Sequence, residues 1–239
     1  MPEDQIEELE RNACEPKPVV ATGFNPLVSL PHGLTVEAIE QAMEVFTDFL
    51  GFLNVQLNGR GIERLESMLM PANFSSMVGE FMISNLPKFC PSLVKNRYHN
   101  GHPDLIPAGK SLNDSAQHQT EGIEIKASRY SSGWQGHNAE ECWLMVFVFD
   151  SSRPVDVGQD VLPKKFEFLA VYGAQLALED WKFSGRNEGS RRTPTAAVTK
   201  SGYRKMTDNW IYRASLSTPG KEDTVSFPQT EDAQPQEKE

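Results

Sequence analysis

The sequence predicts an α/β or α+β domain built on a single mixed β-sheet, and three observations carry that expectation. Apolar residues recur at three- and four-residue spacing through the first third of the chain. Residues 122–127 alternate apolar and polar with period two. Residues 142–149 form an unbroken apolar run of eight, suited to a central strand covered on both faces.

Element by element, Thr35 is a good N-cap, and Ala38, Ile39, Ala42, Met43, Phe46, Phe49, Leu50 and Leu53 follow it at helical spacing. A second helix is expected through Ile62, Leu65, Met68 and Leu69, stopping near Pro71. A third is expected from Asn73 or Ser75 to about Leu86, ending before Pro87. The middle then becomes strand-like: a short extended piece at 104–107, the alternating 122–127 and, after the apolar run, a further alternation over 165–175.

The chain has 239 residues, enough to bury a substantial core, since a chain of this size hides about 70% of its unfolded surface. Its longest apolar run falls far short of the roughly 20 residues a membrane helix needs. The acidic N-terminus lacks a basic-then-apolar leader pattern. Cys14, Cys90 and Cys142 are odd in number and widely spaced, which gives neither a disulfide framework nor a zinc knuckle. A soluble protein of the reducing cytoplasm is expected, with no membrane partner.

The net charge is -10, but it is unevenly placed. Residues 1–15 carry six acids against one arginine, and residues 221–239 six acids against two lysines; both read as acidic disordered tails around one domain at 16–220, the first alternatively as a frayed acidic helix. Residues 182–213 carry eight basic side chains against two acids. That basic stretch permits a nucleic-acid partner that the total charge disfavours.

Chemistry concentrates in Pro103-Asp104 and, twenty positions after Asp104, Glu124-Ile125-Lys126. On a strand, Glu124 and Lys126 share one face while Ile125 packs on the other. If the Asp104 segment pairs beside that strand, with the polar 109–120 loop between them, Asp104 approaches Glu124. Two neighbouring carboxylates resist joint ionisation without a cation. A hard divalent ion such as Mg²⁺ meets that need with oxygen ligands and a substrate phosphate. Lys126 would then hold or help deprotonate the attacking water and offset charge developing on phosphorus.

These residues match the PD-(D/E)xK signature, and the chain resembles the restriction-endonuclease-like nuclease superfamily over about residues 70–180. The resemblance implies an α/β core with a central mixed sheet flanked by helices, and Mg²⁺-dependent cleavage of double-stranded DNA, with Mn²⁺ able to substitute. It implies that Asp104 and Glu124 ligate the metal, that the Ile125 carbonyl is a third ligand and that Lys126 is the catalytic lysine. Glu80, 24 residues before Asp104 in the third helix, matches the further acidic residue that the family often supplies. The QxxxY element of the superfamily's exonuclease branch is not evident after Lys126, which points to a type II restriction enzyme and to a homodimer that cuts both strands. Alternatives are a structure-specific repair, recombination or mobile-element nuclease, and a non-catalytic DNA-binding or interaction protein. Ser128, Arg129, Arg191, Arg192, Lys200, Arg204 and Lys205 are the expected DNA contacts.

Two shorter motifs compete. His102-Pro103-Asp104 spells the HPD of J-domain cochaperones, but residues 96–101 form no long basic helix leading into it. His99 and His137 hint at an HNH nuclease, yet His137 runs into the apolar strand and not onto a metal-binding helix. No glycine-rich phosphate loop and no zinc spacing occur.

Overall fold

A computed structural model describes residues 3–136, 138–158, 161–183 and 195–214. The helices are α1 (Glu3–Ala13), α2 (Val36–Asn58), α3 (Leu65–Met68), α4 (Pro71–Phe89) and α5 (Lys200–Asp208). The strands are β1 (Leu93–Lys95), β2 (Leu105–Pro107), β3 (Ile123–Ser128), β4 (Gln135–Gly136), β5 (Cys142–Asp150), β6 (Glu167–Leu176), β7 (Trp181–Phe183), β8 (Ala196–Val198) and β9 (Trp210–Arg213). The chain is thus an α/β protein with a mixed central sheet.

That sheet has the order β1-β2-β3-β5-β6-β9. Only the β3–β5 pair in it is parallel, running from Ile123↔Trp143 to Ser128↔Val148. A second, three-stranded sheet has the order β4-β8-β7. As its apolar run predicts, β5 lies in the middle of the large sheet, with Cys142 to Phe149 all buried. Alternate β5 side chains supply two cores. Trp143, Met145, Phe147 and Phe149 pack with the α2 and α4 residues Ile39, Phe46, Phe74 and Met82. Leu144, Val146 and Val148 pack on the other face with Trp134, Val198 and Met206. The result is a layer of α2 and α4, the sheet, and a layer of α5 with the small sheet.

Thr35 caps α2 as expected, its hydroxyl accepting from the Ala38 N–H at 3.2 Å. Phe46 then anchors α2, with ring centroids 5.2 Å from Phe81 and 5.1 Å from Phe166. The other two expected helices differ from the sequence reading. The second contracts to the single turn α3. The third begins at Pro71, whose fixed φ suits a first helical position, and runs through Pro87 to Phe89. Pro87 falls in the last turn, where its missing N–H costs little against the buried face of Phe74, Val78, Met82 and Leu86.

Residues 3–13, assigned to a disordered acidic tail on composition, form α1 instead. Ala13 and Cys14 are buried, and Glu10 accepts a 2.8 Å bond from Arg64. Arg64 is itself fully buried and paired with the equally buried Glu66 at 2.5 Å. The acidic segment at 221–239 lies outside the described residues. Among the described residues no helix is long and apolar enough to cross a membrane.

Candidate metal and catalytic site

β2 pairs with β3 at Leu105↔Ile123 in antiparallel register. Continuing that register by one residue sets Asp104 opposite Glu124. Gly122 makes the approach possible: its φ is +142°, and a Cβ there would lie 2.2 Å from the Leu105 carbonyl oxygen. The segment leading into Asp104 is pinned by the buried Asn96. Its amide donates to the Pro103 and Ala116 carbonyls at 3.0 and 2.8 Å, and its oxygen accepts from the Tyr98 and Ala116 N–H groups. Gly101 packs against this node, where a Cβ would meet the Ala116 oxygen at 2.5 Å.

Asp104 Oδ2 accepts the Ile125 N–H at 2.8 Å, so the carboxylate takes the place of a neighbouring strand at that point of the β3 edge. Within a strand the N–H and C=O of one residue point to the same edge, so the Ile125 carbonyl is directed to the Asp104 side. The Lys126 ammonium donates to Glu124 Oε1, and His102 Nδ1 lies 3.1 Å from Glu124 Oε2. Glu140 Oε2 lies 3.0 Å from the same His102 nitrogen. Asp104, Glu124, Lys126, His102, Glu140 and Glu80 all line one cleft of about 750 Å³, which Trp181 also borders. The Trp181 indole N–H donates to the Glu140 backbone carbonyl at 2.9 Å.

The two carboxyls are driven apart electrostatically. Burial and the charge of Glu124 push Asp104 up to about 7. Burial opposes ionisation of Glu124 as well, but its bond to His102 and the charge of Lys126 outweigh that and hold it at about 2. Burial draws the Lys126 ammonium down, yet the charges of Glu124 and Asp104 overcome it and its pKa is raised. His102 behaves likewise: burial lowers it, and the Glu124 bond and the charges of Glu124 and Glu140 raise it on balance. Cys142 nearby is pushed up to about 12 by burial, which leaves it an inert thiol.

The oxygens of Asp104 and Glu124 with the Ile125 carbonyl are a donor set that fits a hard divalent cation. The raised pKa of Asp104 supports that fit, because a positive ion would favour the ionised form of this buried carboxyl beside the Glu124 charge.

The other expected site residues are dispersed. Glu80 borders the cleft from α4, but its side chain is 65% exposed and accepts from Lys95 at 2.9 Å. Ser128 Oγ accepts the Tyr130 N–H, closing a local turn after β3. Arg129 is engaged within the fold: its guanidinium donates to Ser151 and to the Ser152 carbonyl, and it lies 5.3 and 5.0 Å from the Phe74 and Phe149 rings. It holds β3 to the chain after β5 and does not reach outward for phosphate. Lys205 is tied to the buried Asp180 at 2.5 Å, fixing α5 to the turn before β7. Lys200 and Arg204 sit on the exposed part of α5. Arg191 and Arg192 lie outside the described residues.

Sequence reasoning missed His102, His118 and Glu140 as site residues. His102 adjoins the signature aspartate but spells a competing motif, and His118 and Glu140 lie in loops with no spacing pattern linking them. No protein-family model, curated protein or solved structure matches this chain.

Proposed function

We propose that this protein is a Mg²⁺-dependent DNA endonuclease of the PD-(D/E)xK kind, acting as a type II restriction enzyme. The observation that carries the reading is the convergence of Asp104, Glu124 and Lys126 in one cleft, with the two carboxyls held at about 7 and about 2. Two neighbouring carboxyls shifted in opposite directions beside an ammonium, in a cleft, are a feature that functional sites share. Asp104, Glu124 and the Ile125 carbonyl would hold the metal. When bound, it supplies Lewis-acid polarisation of the phosphate and acidifies a coordinated water.

The chain's own groups do the rest. Lys126 keeps a proton on Nζ and donates hydrogen bonds to the attacking water and to a phosphate oxygen. His102 fixes the far oxygen of Glu124, so that its Oε1 edge stays oriented toward Lys126. Water oxygen bonds to phosphorus and gives up one proton to solvent as the P–O3′ bond breaks in line, and the departing O3′ takes up a proton from solvent. The products carry 5′-phosphate and 3′-hydroxyl ends. Lys200 and Arg204 are exposed on α5 and would contribute to binding the DNA backbone. Cutting both strands of a symmetric site calls for two such clefts, hence a homodimer.

Incubation with plasmid DNA and Mg²⁺, with EDTA as control, tests this reading. Discrete fragments with ligatable 5′-phosphate ends are expected. Fragments without fixed ends would replace restriction by a structure-reading nuclease, and no cleavage in either Mg²⁺ or Mn²⁺ would end the enzyme reading.

A further inference from the structure

Beside the carboxylate pair lies a second cluster of a different chemical kind. The His102 N–H donates to the Gln117 carbonyl at 3.1 Å, and the Gln119 N–H donates to the His102 carbonyl at 3.0 Å. This parallel bridge sets residues 102 and 118 side by side, and it stacks their imidazoles with centroids 5.4 Å apart and planes within 20°. Glu140 approaches the same place from the segment before β5. One ligand atom from each of His102, His118 and Glu140 lies within 4.8 Å of the other two.

The second observation concerns the His102 ring. It is 9% exposed; Nδ1 faces the Glu124 and Glu140 carboxylates, while Nε2 is buried without a hydrogen-bond partner among the described residues. A buried nitrogen left unpaired costs about 1–3 kcal/mol. A carboxylate on one imidazole nitrogen fixes the tautomer and leaves the lone pair on the other, which is the usual arrangement of a metal-ligating histidine.

We propose that His102, His118 and Glu140 bind a zinc-class divalent ion on the rim of the cleft, at a position separate from Asp104 and the Ile125 carbonyl. Two imidazoles and one carboxylate are a zinc donor set, whereas Mg²⁺ takes oxygen ligands and keeps its waters. The two positions therefore sort ions by donor chemistry. Ligand atoms on a tetrahedral ion with bonds of about 2.1 Å stand roughly 3.4 Å apart. To reach that spacing around Nε2, the Glu140 carboxylate, 3.0 Å from Nδ1, and the exposed His118 ring stacked on His102 both have to turn. A fourth position is left for water. The ion would join the loop carrying His118 to the segments carrying His102 and Glu140, and through His102 it would brace Glu124. It would take no part in bond breaking, so this site stands independently of the nuclease reading.

Cobalt(II) is the probe, because its visible d–d absorption reports histidine-containing, low-coordinate sites. Untagged full-length protein, stripped with chelator, is titrated with Co²⁺. The expected result is an intense visible band that saturates at one equivalent, disappears on adding Zn²⁺ and persists in excess Mg²⁺. His118→Ala and Glu140→Gln should each weaken Co²⁺ binding at least tenfold, with an unchanged far-UV circular dichroism spectrum. Asp104→Asn should leave band and affinity intact, so loss of cleavage and loss of this site are read separately. No band, a band removed by Mg²⁺, or affinity unchanged in His118→Ala would each overturn the proposal, the last by assigning the ion to other surface histidines.

Discussion

The Asp104 carboxylate accepts a 2.8 Å hydrogen bond from the main-chain N–H of Ile125, and this one contact ties the two halves of the candidate site together. It places a carboxyl from the end of one chain segment on the edge of β3, between two residues whose side chains, Glu124 and Lys126, are joined to each other. It also keeps the Asp104 side chain in place whether or not it carries a proton, since either form offers an oxygen acceptor.

Asp104→Asn should abolish cleavage while stabilising the metal-free protein. Asn keeps the acceptor for the Ile125 N–H and removes the charge that burial and Glu124 oppose. A rise in midpoint temperature relative to wild type at pH 8 in chelator is expected. An equal or lower midpoint would show that Asp104 is not under electrostatic pressure.

The pH dependence follows with a definite sign. The folded Asp104 pKa is raised from 3.8 to about 7, so its contribution to stability is fully present below about pH 4 and is lost as pH rises through 7. Glu124 is lowered from 4.5 to about 2, so its contribution is present above 4.5 and is lost only as pH falls through 2. Between pH 5 and 8 the pair therefore leaves the metal-free protein less stable as pH rises, and Asp104→Asn should flatten that slope. Thermal melts across this range in chelator measure it.

Lys126→Met should cut the cleavage rate by about 10²–10³-fold while DNA binding changes little. Glu80→Gln should cost about tenfold or less, because that carboxylate is largely exposed and already engaged by Lys95. Single-turnover rates with saturating protein compare the two. A larger loss at Glu80 than at Lys126 would reverse their assigned weights.

Arg129→Gln should destabilise the fold by about 2–4 kcal/mol, because it removes a partly buried guanidinium from between Phe74 and Phe149 and leaves the Ser151 and Ser152 acceptors unpaired. Denaturant melts measure the loss, and the DNA affinity of the folded variant should equal wild type. Reduced affinity at unchanged stability would restore Arg129 to the DNA surface.

Glu66→Gln should cost about 3–5 kcal/mol, since it removes the one buried counter-charge of the fully buried Arg64 and leaves it only the partly exposed Glu10. Its effect should be global, visible in unfolding midpoints and absent from any metal-binding curve.

The sequence by itself determined what short-range periodicity and residue chemistry can specify. The apolar run at 142–149 suited a covered strand, Thr35 could open α2, and the alternation around Glu124 put that residue and Lys126 on one face. Those signals live within a few residues of one another, where the strand and helix repeats operate. Tertiary packing decided the rest. Pro87 stays helical because the buried face of α4 outweighs one missing N–H, and the acidic α1 is held by Glu10 reaching Arg64. Arg129 and Lys205 look like phosphate ligands in a linear chain, but Ser151 and Asp180, each more than twenty residues away, claim them. His102, His118 and Glu140 come from three segments that only the folded chain brings together, and no local pattern encodes a meeting arranged by long-range strand register and loop packing.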